Sequence, residues 1–134
     1  MNKKRVILII VLILVIGIII TVAGVKAYLQ SNLEQLVALP ITNVDFTELT
    51  DGTYTGSYKA FPVAAEVKVS ISNHKIISIE LVQHDNGQGA PAEVIPGKVV
   101  ETQNLDVDVV TGATYSSKVI LKAIENALHS SPNR

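Results

Sequence analysis

The chain has 134 residues, 48% of them hydrophobic, and a mean hydropathy of +0.37, high for a soluble protein this short. It carries a formal charge of −1, no cysteine and 3 histidines, with no two histidines at metal-ligand spacing. These figures exclude a disulfide framework and a lipidated cysteine, argue against a metal site, and leave room for one modest domain.

The hydrophobic excess lies near the N-terminus. Residues 6–25 read VILIIVLILVIGIIITVAGV without a charge. At about 1.5 Å per residue this makes roughly 30 Å of helix, the thickness of a bilayer's hydrocarbon core. Lys3, Lys4 and Arg5 precede the run and Lys26 follows it. That bias predicts a single-pass span in the cell membrane, with the N-terminus cytoplasmic and the C-terminal domain extracytoplasmic. A cleaved signal peptide is the competing reading, but its apolar region usually spans about 7–15 residues, and Val25-Lys26-Ala27 is a poor cleavage site. Beyond Lys26 stand seven basic and twelve acidic residues, a formal charge of −5. Such a balance points away from nucleic acid as a partner. The lipid bilayer is the first partner implied.

Residues 1–27 are therefore assigned to a cytoplasmic stub and transmembrane helix, and residues 28–50 to a stalk and linker. Leu29, Leu33, Leu36 and Val37 fall on one helical stripe, so the helix is expected to continue and stop before Pro40. Residues 51–129 read as the folded domain. Period-2 alternation begins with a strand over residues 53–59 and continues through Val63, Ala65, Val67, Val69 and Ile71. Residues 72–75 supply a turn, and Ile77, Ile79 and Leu81 continue the alternation, which predicts an antiparallel hairpin. Residues 84–93, dense in Gly and Pro, read as a loop. A short helix is expected over residues 96–104, a short strand over Leu105, Val107 and Val109, and a second helix over residues 115–129. In that last helix Val119, Ala123 and Ala127 lie beside Ile120, Ile124 and Leu128 as one apolar face. Residues 130–134 form a tail expected to fray. The fold class is α+β: an N-terminal transmembrane helix, then a small domain with a curled antiparallel sheet packed by helices.

Chemistry concentrates at residues 106–128, where a strand is expected to lead through a Gly-containing turn into a helix. Thr111, Thr114, Ser116 and Ser117 bring four hydroxyls to that turn, while Gly112 and Ala113 leave its backbone unscreened. A helix N-terminus has unpaired N–H groups and partial positive charge, which suit a phosphate. Asp108 stands where it can either hydrogen-bond the turn or assist a metal-dependent modification. Hydroxyls at a helix start are also ordinary caps, worth about 0.5–2 kcal/mol, so local pattern alone leaves capping and cofactor binding both open.

The segment Asp108-Val109-Val110-Thr111-Gly112-Ala113-Thr114 resembles the D-x-x-(S/T)-G-A-T signature of the FMN-binding domain family. That family includes domains of the C subunit of the sodium-pumping NADH:quinone reductase and of the G subunit of the Rnf complex. The chain is most similar to its short, membrane-anchored stand-alone form. The resemblance extends upstream to residues 51–60 and to the hairpin of residues 67–84, ending in the family's habitual histidine, His84. It implies that a flavin transferase attaches FMN covalently to Thr114 through a phosphoester bond, with Ser116, Ser117 and Lys118 in the family's following helix. One departure is visible: Asp85-Asn86-Gly87-Gln88-Gly89 stands where members often carry a Thr-Pro-Gly-like loop. His84 is a candidate flavin contact, against the plainer reading of a solvated loop histidine. Tyr54, Tyr58, Phe61 and Tyr115 are candidates for the core or the surface as much as for the ring.

With no general acid/base pair and no residue marked as catalytic, the expected function is a relay. It would take electrons from a membrane donor to an extracytoplasmic acceptor. A non-redox surface binding module and a small reductase with non-covalent FMN are the two alternatives.

Overall fold

The computed structural model describes residues 1–130; residues 131–134, most of the expected tail, lie outside the described residues. The chain divides into two compact units, the first Met1–Asn32 and the second beginning at Leu33.

Helix α1 (Lys3–Ala38) runs without a break through the apolar segment. It is long and apolar enough to cross a membrane, with none of its most hydrophobic stretch buried against the rest of the protein. The one hydroxyl within residues 6–25, on Thr21, donates to the Gly17 carbonyl at 2.8 Å, so no polar side-chain group in that stretch is left unbonded. The end of α1 belongs to the second unit, and there the apolar stripe divides. Leu36 is 2% exposed in the core, Leu33 is half-buried and Val37 stays exposed. The linker is also packed, with Ile41, Val44, Phe46 and Leu49 against the core and a 3-10 turn at Phe46–Glu48 capped by Asp45.

Three strands follow: β1 (Gly52–Ala60), β2 (Val63–Ser72) and β3 (Lys75–Asp85), antiparallel in that order. On β2 the alternation holds from end to end, with Val63, Ala65, Val67, Val69 and Ile71 all buried. On β3 it does not. The pairing passes from Ile71–Ile76 to Ser70–Ser78 and from Val67–Leu81 to Glu66–Gln83, so Ile77 and Val82 are extra residues in two bulges. Ile77, expected on the inner face, is 60% exposed, and Ile76 takes the core position. A second effect is that β3 reaches Asp85, placing His84 in the strand opposite Ala65 rather than in a loop.

A 3-10 helix (Ala90–Val94) leads into α2 (Ile95–Thr102), which packs on β3. The strand expected over Leu105–Val109 is absent: residues 106–110 are irregular and no ladder takes them in. Their backbone is satisfied locally instead, Val107 N–H donating to Leu105 O at 2.9 Å and Asp106 N–H to Asn104 Oδ1 at 2.8 Å. The apolar alternation survives as packing, with Leu105 buried and Val107 and Val110 against the core.

Helix α3 (Thr114–Leu128) crosses β1 and β2 and buries the face that its spacing marks, including Val119, Ile120, Ala123, Ile124, Ala127 and Leu128. Each fully buried Val, Leu or Ile is worth about 1.5–3 kcal/mol, so this face contributes a large share of the domain's cohesion. Helices also occupy the two rims of the sheet. Asn126 Nδ2 donates to Ser57 O at 2.9 Å on β1, while the Ser130 hydroxyl donates back to Ala127 O at 2.6 Å. On β3, the αL-configured Gln103 that ends α2 turns its amide onto Ile76. Glu125, 6% exposed, joins α3 to the linker by accepting from Thr42 N–H at 3.2 Å while pairing with Lys122.

Candidate functional site

The segment from Val110 to Ser117 forms a closed turn at the start of α3. Ala113 N–H donates to Val110 O at 2.9 Å, and Gly112 takes a φ of +81°, a conformation that favours glycine. Ser117 completes it. Its hydroxyl is fully buried, donates to Ala113 O at 2.8 Å and accepts from Val110 N–H at 3.0 Å. Ser117 therefore clamps the turn from beneath, and its oxygen is committed to backbone.

Thr114 is the first residue of α3 and is half-buried. The cap residue Ala113 has no side chain to bond the helix start, and the Thr114 hydroxyl has no hydrogen-bond partner among the described residues. The first N–H bonded within the helix is that of Ser117, to Ala113 O at 2.9 Å. The amides of residues 114–116 are thus available to an anion.

A groove of about 330 Å³ opens beside this turn. It is lined by Pro62 and Val63 at the start of β2, by Asn86–Gly89, by Gly112, Ala113, Tyr115 and Ser116, and by Leu33. The Asn86–Gly89 turn, closed by Gly89 N–H to Asn86 O at 2.8 Å, touches α3 tightly. A Cβ on Gly89 would fall 1.9 Å from Ser116 Oγ, so this contact requires glycine. Of the four aromatic candidates, Tyr54 lies in the core with its hydroxyl on Thr50 O at 2.7 Å, and Tyr115 lines the groove.

His84, on β3 opposite Ala65, is not among the residues lining this groove. Its side chain is 2% exposed, Nδ1 lies 3.0 Å from Glu93 Oε1, and Nε2 is buried without a partner. The solvated-loop reading of this histidine is therefore corrected: the β3 bulge at Val82 puts it on the inner face of the sheet. Thr111 and Asp108 lie elsewhere. Thr111 is exposed, and Asp108, also exposed, lines a different depression with Lys98, Glu101 and Asp106. Neither makes a side-chain hydrogen bond to the turn among the described residues.

Residues 62–129, the span that contains this groove and its turn, match the family described as FMN-binding domain. The chain belongs to the FMN-binding domain family. A protein named NADH:acrylate oxidoreductase, from Vibrio harveyi, is 28% identical over 109 residues, 79% of this chain and 10% of that protein. An uncharacterized protein from Treponema pallidum (strain Nichols) is 31% identical over 84 residues, 60% of this chain and 23% of that protein. The chain thus spans about a tenth and under a quarter of these curated relatives.

The FMN-binding domain offers two features that fit the cofactor its family is named for. One is an unengaged alcohol beside free helix-terminal amides, suited to a phosphate. The other is the adjoining groove, walled by the Asn86–Gly89 turn, Tyr115 and Ser116. Sequence reasoning marked the hydroxyls and His84 but missed Glu93 and Gly89. Nothing in the spacing of nine residues marks Glu93 as the partner of His84; the Gly-rich run was a signal for a tight turn, not for its contact with Ser116.

Proposed function

We propose that this FMN-binding domain protein is a membrane-anchored electron carrier, with FMN joined to Thr114 by a phosphoester bond. The observation that carries this reading is the Thr114 hydroxyl, unengaged at the first residue of α3 and flanked by two groove-lining residues, Ala113 and Tyr115. A phosphate esterified there meets the amides of residues 114–116 and the positive end of the helix dipole. Gly112 and Ala113 keep the approach open, Ser116 and the Asn86–Gly89 turn form the adjoining wall, and Ser117 holds the turn in shape. Asp108 and Thr111, exposed on the outer side of the turn, are read as surfaces for the flavin transferase that installs the cofactor.

FMN, when bound, supplies electron acceptance and release; the protein contributes placement and local polarity. The tether keeps the cofactor's effective concentration independent of its surroundings, an advantage outside the cell. Helix α1 is read as the anchor, N-terminus cytoplasmic, holding the domain near a membrane electron donor and an extracytoplasmic acceptor. The name of the Vibrio harveyi relative favours redox work over a non-redox binding module. A small reductase holding FMN without a covalent bond is the second reading, since that relative is named for an oxidoreductase activity.

The test is mass spectrometry of the full chain coexpressed with an FMN transferase. A mass gain of FMN less water on the Thr114 peptide, absent in Thr114→Val, supports the carrier. Flavin that leaves the chain on acid precipitation supports the reductase, and a chain without flavin beside a verified transferase supports the binding module.

A further inference from the structure

The groove beside Thr114 has one wall that the family match does not reach. Its other lining residues all fall within residues 62–129, but Leu33 comes from the C-terminal end of α1, well before the matched span. Leu33 opens the second compact unit, so the groove lies wholly within that unit.

This end of α1 is fastened in place. Leu36, one turn after Leu33 on the same stripe, is 2% exposed in the core. Leu39 N–H donates to Leu36 O at 3.2 Å, which closes the helix. Lys118 Nζ in turn donates to Leu39 O at 3.2 Å, a cation on the carbonyl end of a helix. Lys118 stands three residues after Tyr115 and four after Thr114 in α3, so it shares their face of that helix. The end of α1 is therefore tied to the face of α3 that carries Thr114.

Unlike Leu36, Leu33 is only half-buried. The rest of its side chain borders the groove, together with Pro62, Val63 and Tyr115. A pocket with this much apolar lining and few polar groups suits a flat ring system, which would cover apolar surface now left to water.

We propose that Leu33 is a flavin-contacting residue: the last turns of α1 form a wall against which the ring system of FMN packs when its phosphate is held at Thr114. The inference rests on the flavin reading above and deepens it, because the helix read as an anchor then also completes the cofactor's site. An alkyl side chain moves neither electrons nor protons, so Leu33 contributes contact and the exclusion of water.

The chain has no cysteine, so a thiol placed at position 33 is unique. The experiment measures how fast a maleimide reacts with Leu33→Cys in the full chain in detergent, with and without loading by an FMN transferase. Val37→Cys is the reference, exposed on the same end of α1 and not among the groove-lining residues. Loading is expected to slow the reaction at position 33 several-fold and to leave that at position 37 unchanged. In the loaded chain, Leu33→Ala is expected to raise iodide quenching of flavin fluorescence several-fold, whereas Val37→Ala leaves it as in the parent. Equal rates at position 33 with and without flavin, equal slowing at both positions, or the same quenching in Leu33→Ala and the parent overturns the proposal. Loading is scored separately by mass. If the parent gains no mass, the same rates are measured in saturating free FMN, with binding scored by equilibrium dialysis. A chain that takes up FMN by neither route overturns the flavin reading and this inference with it. Bound flavin beside an unprotected thiol overturns this inference alone.

Discussion

The side-chain amide of Gln103 pairs with both main-chain groups of Ile76. Nε2 donates to Ile76 O at 2.8 Å, and Oε1 accepts from Ile76 N–H at 2.9 Å. A further bond to Val100 O at 2.7 Å secures the amide to its own helix. One residue thus ends α2 and substitutes for a missing fourth strand at the rim of β3. Gln103→Leu strips partners from part-buried backbone groups, and each such loss costs about 1–3 kcal/mol. Gln103→Gly loses the same bonds but relieves the left-handed backbone, φ +53°. Thermal unfolding of the full chain in detergent is expected to rank parent above Gly and Gly above Leu.

At the phosphate-side turn, Ser117→Ala removes the acceptor for Val110 N–H and the donor to Ala113 O. The expected cost is about 1–2 kcal/mol for one lost buried pairing, with slower flavin loading at Thr114 because the turn is no longer held. Time-resolved peptide mass spectrometry with a fixed amount of transferase reads the second effect. Equal loading rates in variant and parent would show that the clamp does not shape the acceptor site.

Gly89→Ala places a methyl group on Ser116. Overpacking of this kind costs about 1–3 kcal/mol. Ser116→Gly opens the space at a helix cost of about 1 kcal/mol or less, so the double variant should be more stable than additivity allows. A strictly additive pair of unfolding shifts would contradict the close contact.

Glu125 gives the domain an acid limit. Burial alone would raise its pKa, but the hydrogen bond and charge of Lys122 and the N–H of Thr42 outweigh it, and the net direction is below the ordinary 4.5. The unfolded chain therefore binds this proton more readily than the native one. The associated stability is complete above about pH 4.5 and is lost as pH falls through the lowered native value. Glu125→Gln keeps an acceptor for Thr42 and is expected to flatten that acid limb in melting curves taken from pH 6 down to 3.

Much of this molecule is legible from sequence where a pattern is local. The apolar face of α3 and the unbroken alternation of β2 are properties of single segments, and both match the structure. The β3 bulges are not local. Which residue is extruded depends on β2 across the ladder, so Ile77 and Ile76 exchange places although both are isoleucine. Ile77→Thr should therefore fall within about 0.5 kcal/mol of the parent, as surface changes do, whereas Ile76→Thr should cost several times more; denaturation midpoints decide it. The apolar alternation at Leu105–Val109 misled for the opposite reason. Its side chains pack as a strand's would, but no neighbouring strand is there for its backbone. In the site, the residue types at the helix start could be read directly, while the pairing of His84 with Glu93 rests on a bulge and a 3-10 turn that no spacing records.

The rims of the sheet have a consequence for life at high density. Asn126 holds the Ser57 carbonyl of β1, and Gln103 holds both outward groups of Ile76 on β3. Exposed strand edges are where neighbouring chains zip together. With helix-borne side chains already seated at these positions, two copies pressed against each other meet as separate bodies. Repeated brief collision, rather than fusion into a shared sheet, is the behaviour this architecture permits in a crowded layer.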